Sequence, residues 1–102
     1  MTQTNGYIYV RNHPSYDLDG ACKMGKANNI PDRDTQYATG EIKRGYFELV
    51  IEVPINKLGA VERLLQHEFR ELNVKYDAGT EFYNKSIIAL IESVVAALKS
   101  VA

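Results

Sequence analysis

The sequence predicts an α/β (α+β) fold, a small antiparallel β-sheet flanked by helices with an amphipathic helix at its C-terminal end. Three observations carry this reading. Tyr7-Ile8-Tyr9-Val10 is a compact run of aromatic and β-branched residues, the composition that suits a pleated, half-buried surface. Phe47-Glu48-Leu49-Val50-Ile51-Glu52-Val53 alternates apolar and polar with period two and stops at Pro54. From Ser86 onward, Ile87, Ile91, Val94, Leu98 and Val101 recur at alternating steps of four and three.

Between the first run and the next, Asn12-His13-Pro14 and Asp17-Leu18-Asp19-Gly20 read as a loop. Ala21 to Gly25 then returns antiparallel to the first strand as a long-looped hairpin. Asn29 is suited to cap a helix, with Pro31 and Asp32 in its first turn. Ala38-Thr39-Gly40 closes that helix, with glycine at the usual C-terminal position. After the period-two strand, Asn56 is placed to cap a second helix, whose Leu58, Val61, Leu65, Phe69 and Leu72 form one apolar face. Glu81-Phe82-Tyr83 reads as a short strand. In the last helix Ile88 and Val95 widen the stripe. Packing against the chain's own sheet is the more ordinary use of such a helix, and the alternatives are a homodimer seam or a helix leading into a second domain. The expected order is therefore β-β-α-β-α-(β)-α.

Bulk properties bound the function. At 102 residues and 11.5 kDa the chain has room for one domain, residues 1–102, and one modest core. The apolar fraction of 45% and charged fraction of 25% are those of an ordinary globular domain. No apolar run approaches bilayer-spanning length, and the polar Met1 to Asn5 start is unlike a signal peptide. A single cysteine, Cys22, excludes an internal disulfide framework and fits a reducing, cytoplasmic compartment. The net charge of −1 argues against coating nucleic acid by bulk electrostatics, but leaves room for a local basic patch that grips one or two phosphates. No glycine-rich nucleotide loop, phosphate-binding Gly-Lys-Ser/Thr or zinc-spaced Cys/His cluster is present.

Gly6-Tyr7-Ile8-Tyr9-Val10, then Lys23-Met24-Gly25-Lys26, then Arg33, then Glu62 on a later helix, together resemble the GIY-YIG nuclease superfamily. The likeness is nearest to its phage and large-DNA-virus branch and covers roughly residues 6–83, with the helix over about 86–101 beyond it. It implies a Mg²⁺- or Mn²⁺-dependent DNA endonuclease, working in the cytoplasm or, if viral, in the host cytoplasm or nucleus. Under it, Tyr9 is the phenol that takes a proton from the attacking water. An unperturbed tyrosine titrates near ~10, so that role needs neighbouring positive charge. Lys26 would lower the tyrosine pKa or hold the scissile phosphate. Arg33 would bring its planar fork to the phosphate oxygens, and Glu62 would hold the metal ion, with Glu81 the second choice. Lys23 and Gly25 are the expected substrate contacts.

The pattern also departs from the family. Lys23 stands where the wider superfamily has its second tyrosine, which leaves the partner of Tyr9 open; a one-residue slip would put Cys22 there. Asn73, eleven residues after Glu62, only approximates the family's asparagine. His67 falls one place from the helical histidine of the viral branch, where Gln66 stands, and His13 reads as a loop residue. Three functions follow as alternatives: an endonuclease, a catalytically weak DNA-binding module of the same fold, and an oligomerisation domain built on the last helix.

Overall fold

A computed structural model describes residues 3–76 and 79–101, without the side chains of Tyr76 and Val101. The sequence readings at Met1, Thr2 and Ala102, and the Val101 seam position, lie outside it. The first aromatic run forms β1 (Asn5–Asn12), and Ala21–Ala27 returns beside it as β2, with Tyr9 opposite Gly25 and Arg11 opposite Lys23. The intervening loop contains one short helical turn, α1 (Pro14–Asp17), capped by the His13 ring, which accepts from the Ser15 N–H. The period-two segment is β3 (Tyr46–Pro54), antiparallel to β1 on its other side. The segment around Glu81 is β5 (Gly79–Asn84), which pairs with β2 and with β4 (Asn73–Tyr76), a strand the sequence reading left out. The result is a five-stranded antiparallel sheet in the order β3-β1-β2-β5-β4, with helices packed on it.

Side chains alternate between the two faces of a strand. Ile8, Val10, Cys22, Met24 and Val53 point to one face, where they meet Leu58, Val61, Leu65 and Phe69 of the α3 region (helix Ile55–Glu68). Ile87, Ile91 and Val95 complete this core from the C-terminal segment, a 3₁₀ turn at Lys85–Ala89 followed by α4 (Ile91–Val101). The predicted seam thus faces the chain's own core: Ile87 and Ile91 are fully buried, Val94 and Leu98 partly so. Val95 lies at the centre of the stripe rather than at its margin. Asn84, not Ser86, opens the segment, its side chain accepting from the Ser86 N–H.

One helix start differs from expectation, while α2 ends at Gly40 as read. The structure places no cap at Asn56. Helix α3 starts at Ile55 straight out of β3, and the Ile55 N–H is satisfied by the carbonyl of Thr4 just ahead of β1. Gly40 does not leave the helix in a left-handed turn. It is the last residue of α2 (Ile30–Gly40), and the chain exits through an extended Glu41 whose carboxylate is drawn onto Arg11. The Asn29 cap is present as read, accepting from the Asp32 N–H at 2.9 Å.

Candidate functional site

The face of the sheet opposite the core carries Tyr9, Arg11, Lys23 and Gly25, and α2 lies over it. On α2, Arg33 and Tyr37 are four residues apart, hence on one side of the helix. Tyr37 reaches down to Tyr9, and the two phenol oxygens are 2.8 Å apart. Their rings meet edge-to-face at 6.3 Å, and Phe47 of β3 closes the third side at 5.2 Å from Tyr9. The Tyr9 ring can lie where it does because the residue opposite is Gly25: a methyl there would sit 2.6 Å from the Tyr9 oxygen. The space above Gly25 is therefore filled by Tyr9.

Under this aromatic cluster lies a buried arginine. The Arg11 guanidinium is wholly buried, forks onto Glu41 at 2.7 and 2.8 Å, and stacks 4.0 Å from the centre of the Tyr37 ring. Asp34 of α2 approaches Arg11 at 3.9 Å and is itself gripped twice by Arg44 at 2.7 Å. This network pins both the α2 end and the following loop to β1, which compensates for a helix that buries no residue completely.

Tyr9, Lys23, Arg33, Gln36, Tyr37 and Glu81 line one hollow of about 190 Å³. Lys23 faces Glu81 at 3.6 Å and sits 5.0 Å above the Tyr37 ring. Arg33 donates to the backbone carbonyl of Lys26 at 3.4 Å and has no ion-pair partner among the described residues. Lys26 and Glu62 stand apart from this hollow. Lys26 lies opposite Ile8, on the core side of β2, and meets Glu62 of α3 at 3.5 Å. The β2–β5 pairing runs from Ala21–Asn84 to Lys23–Phe82, and Lys26 lies beyond it along β2. Burial raises the pKa of the Tyr83 phenol on β5, and the charges of Glu62 and Glu81 raise it further. A larger hollow of about 730 Å³, between His13–Leu18 and Gly40–Lys43, has none of these charges converging on it apart from Glu41 and Lys43.

Burial dominates the electrostatics of the tyrosines. It raises the Tyr9 pKa above its ordinary value, against the lowering by the Tyr37 hydrogen bond, Arg33 and Arg11. Tyr37 is raised much further, by burial and by the hydrogen bond to Tyr9. The cations that act on Tyr9 are thus Arg33 and Arg11 rather than Lys26. Cys22, the slipped-register alternative, is buried in the core with its thiol pushed up to about 11 by burial, so it has no part in the site.

The T5orf172 domain model matches residues 6–101, nearly the whole of the chain. The chain belongs to the T5orf172 domain family. Domains of this family occur in phage proteins and are often linked to nuclease-like folds. No curated protein and no solved structure matches the chain. In this T5orf172 domain the matched segment contains every residue of the hollow. It also contains α4, so the last helix is part of the domain rather than an appendage to residues 6–83.

The structure therefore brings together Tyr9, Lys23, Arg33 and Glu81, and joins Lys26 with Glu62 apart from them, on the core side of the sheet. Sequence reasoning missed Tyr37 and Gln36. The signal for Tyr37 was available: a tyrosine one helical turn beyond Arg33 must share its face. Gln36 carried no comparable signal. His13 is a structural residue, its Nε2 2.6 Å from the Lys43 carbonyl oxygen. His67 is exposed, its Nε2 3.4 Å from the Arg70 guanidinium. Asn73 donates to the carbonyls of Thr80 and Phe82, holding β4 to β5. Among the described residues no helix is long and apolar enough to cross a membrane, and no three His, Cys, Asp or Glu side chains converge as a metal cage.

Proposed function

We propose that this T5orf172 domain is a metal-dependent DNA endonuclease of the GIY-YIG type. The observation that carries the reading is the convergence of a buried tyrosine, an arginine without an ion-pair partner among the described residues, a lysine and a carboxylate on one hollow, with a second lysine–carboxylate pair, Lys26 and Glu62, on the core side of the sheet. The donor set fits a hard divalent cation. Carboxylate oxygens suit Mg²⁺ or Mn²⁺, and Mg²⁺ commonly uses one or two protein carboxylates while substrate phosphate and water fill the rest. Glu62 is the residue to hold it, with Glu81 the second carboxylate. When bound, such an ion withdraws negative charge from the phosphate and the leaving oxygen.

The chain's own residues supply the remainder. Arg33 presents its planar fork to the non-bridging phosphate oxygens, where charge accumulates as the water oxygen bonds to phosphorus. Lys23 and Lys26 add positive charge along the phosphate track, exchanging their carboxylate partners for the DNA backbone. Tyr9, having first given its own proton to solvent, takes as phenolate the proton of the attacking water while the phosphorus–oxygen bond to the leaving group breaks, and the leaving oxygen is protonated from solvent.

The deciding experiment is nicking of supercoiled plasmid with and without Mg²⁺ or Mn²⁺, comparing the native chain with Glu62→Ala and Glu81→Ala. Metal-dependent nicking lost in Glu62→Ala, with the circular dichroism spectrum unchanged, is the expected result. Loss in Glu81→Ala alone moves the metal ligand to β5. A second reading has an observation of its own: burial keeps Tyr9 protonated, and both carboxylates already hold a lysine. On that reading the domain binds DNA without cutting it, and folded native chain gives salt-sensitive binding and no nicked product in any metal.

A further inference from the structure

The hollow that holds Tyr9 and Arg33 does not end at Lys23. It continues into a wider one of about 570 Å³, with Lys23, Gln36, Tyr37 and Glu81 in the walls of both. Tyr16 of α1, and Thr80 and Phe82 of β5, carry the wall onward. No step of the proposed cleavage uses this second space. We propose that it is a subsite for one unpaired base, that of the nucleotide adjoining the scissile phosphate, so that the domain acts on single-stranded or locally unpaired DNA. The proposal rests on the nuclease reading for the place of that phosphate.

Size, lining and position all point to a base. The volume is in the range of recesses that enclose small aromatic ligands. The Tyr16 ring is held edge-to-face by Phe82 at 5.0 Å and lies 5.3 Å from the His13 ring, which makes it a fixed surface for stacking. Aromatic side chains beside a cationic track are the usual means of gripping a single strand. The Gln36 side chain is exposed and makes no hydrogen bond among the described residues, so its amide offers a donor and an acceptor side by side. That pair matches the N6 and N7 edge of adenine. Lys23 stands at the junction of the two hollows, 5.0 Å from the centre of the Tyr37 ring and 5.7 Å from that of Phe82, in reach of the backbone between one nucleotide and the next. The carboxylates on the wall are already compensated, Glu41 by Arg11 and Glu81 by Lys23. A base within a duplex is stacked on both faces and presents only its edges, so the occupant of such a recess has left the stack.

The test is equilibrium binding without metal, which needs no cleavage. Fluorescence anisotropy compares a short labelled oligodeoxyadenylate, an oligothymidylate, an abasic strand of equal length and charge, and a duplex of that length. Each is titrated with the native chain, Gln36→Leu and Tyr16→Ala. The oligodeoxyadenylate is expected to bind roughly 5- to 150-fold more tightly than the abasic strand, the span of one stacked base. Tyr16→Ala should bring the two within about twofold, and Gln36→Leu should erase the preference for adenine over thymine, with abasic binding unchanged in both. Equal affinity for base-bearing and abasic strands overturns the proposal, as does a duplex bound more tightly than the single strand, or a base preference that both variants retain. Each of these leaves the nuclease reading intact, since plasmid nicking tests that separately. Absence of both DNA binding and metal-dependent nicking overturns the two together. Tyr16 packs on Phe82, so should Tyr16→Ala fold poorly, the exposed Gln36→Leu decides alone: an unaltered ratio of adenine to thymine binding there overturns the proposal.

Discussion

Replacing Gly25 with alanine adds one methyl group to the centre of the sheet, and the structure specifies where that methyl lands. It would lie 2.6 Å from the Tyr9 oxygen, 2.8 Å from Cζ and 3.2 Å from Cε2. Non-bonded carbon contacts are comfortable at about 3.5–4.0 Å, so Tyr9 has to move by roughly 1 Å. It has nowhere easy to go, because Phe47 and Tyr37 flank its ring and its oxygen is hydrogen-bonded. Overpacking of this kind costs about 1–3 kcal/mol, and breaking the phenol–phenol bond adds about 0.5–1.5 kcal/mol. The backbone itself does not resist: among the described residues only Gly20 has a positive φ, so alanine at 25 meets no conformational penalty. In a background where Tyr9 is already alanine, Gly25→Ala should therefore be neutral, or stabilising by about 0.4–1 kcal/mol through the unfolded chain. Urea unfolding followed by far-ultraviolet circular dichroism on the four chains of this double-mutant cycle measures the coupling directly. The expected coupling is about 2–4 kcal/mol, seen in the native background as a midpoint lowered by roughly 2 M urea for a slope near ~1–1.5 kcal/mol/M. Equal costs for Gly25→Ala with and without the Tyr9 ring would refute the idea that Gly25 exists to house that ring.

The other expectations concern the Arg11–Glu41 pair and Cys22, away from the hollow. Glu41→Leu leaves the wholly buried Arg11 with only Asp34 at 3.9 Å, and should destabilise the domain by about 3–5 kcal/mol in thermal or urea unfolding. The double variant Arg11→Met with Glu41→Leu should be less damaged than Glu41→Leu alone. The same pair gives an acid limb to stability. Burial opposes ionisation of Glu41, but the Arg11 hydrogen bond, the Gly45 N–H and the charges of Arg11 and His13 prevail and hold its pKa below the ordinary 4.5. Its contribution is therefore complete above about 4.5 and is lost as pH falls through the lower folded value. Glu41→Gln should flatten that limb in a series of urea midpoints against pH. Cys22, buried and with its thiol pushed up to about 11, should resist aromatic disulfide reagents in the folded domain. Rapid labelling under native conditions, faster than unfolding measured separately, would contradict that placement.

The parts of the fold legible in the sequence are those where a local pattern coincides with the final environment. β1 and β3 announced themselves because aromatic, β-branched and alternating residues serve the same half-buried surface wherever they occur. The face of Leu58, Val61, Leu65 and Phe69 was legible for the same reason. What escaped depends on distant partners. Asn73–Tyr76 is too short to display alternation and becomes a strand only against β5. The start of α3 was misplaced because its first N–H finds an acceptor at Thr4, a contact no local rule anticipates. In the site, Tyr9, Lys23, Arg33 and Glu81 were each singled out from motif order, but that Glu81 shares their hollow while Glu62 meets Lys26 on the core side of the sheet follows from the pairing of the strands. Tyr37 reaches Tyr9 from α2, whereas the motif order points to β2 for a second phenol.

The sheet order has a consequence for how the domain comes into being during synthesis. β1 and β2 are neighbours in sequence and can pair as soon as both have left the ribosome, but β2 pairs with β5 through Ala21 and Asn84. At ~5–20 residues per second, the chain needs several seconds between emergence of the hairpin and arrival of the strand that carries Glu81. Over that interval the outer edge of β2 is bare, Lys23 has no carboxylate, and the hollow lacks one wall. Loop closure over such a distance is also the slow kind of step that non-local pairing imposes on folding. A nascent or prematurely terminated chain ending short of β5 thus carries Tyr9, Arg33 and Tyr37 without the wall that completes their hollow. Whatever chemistry this domain performs is switched on only by completion of its last third.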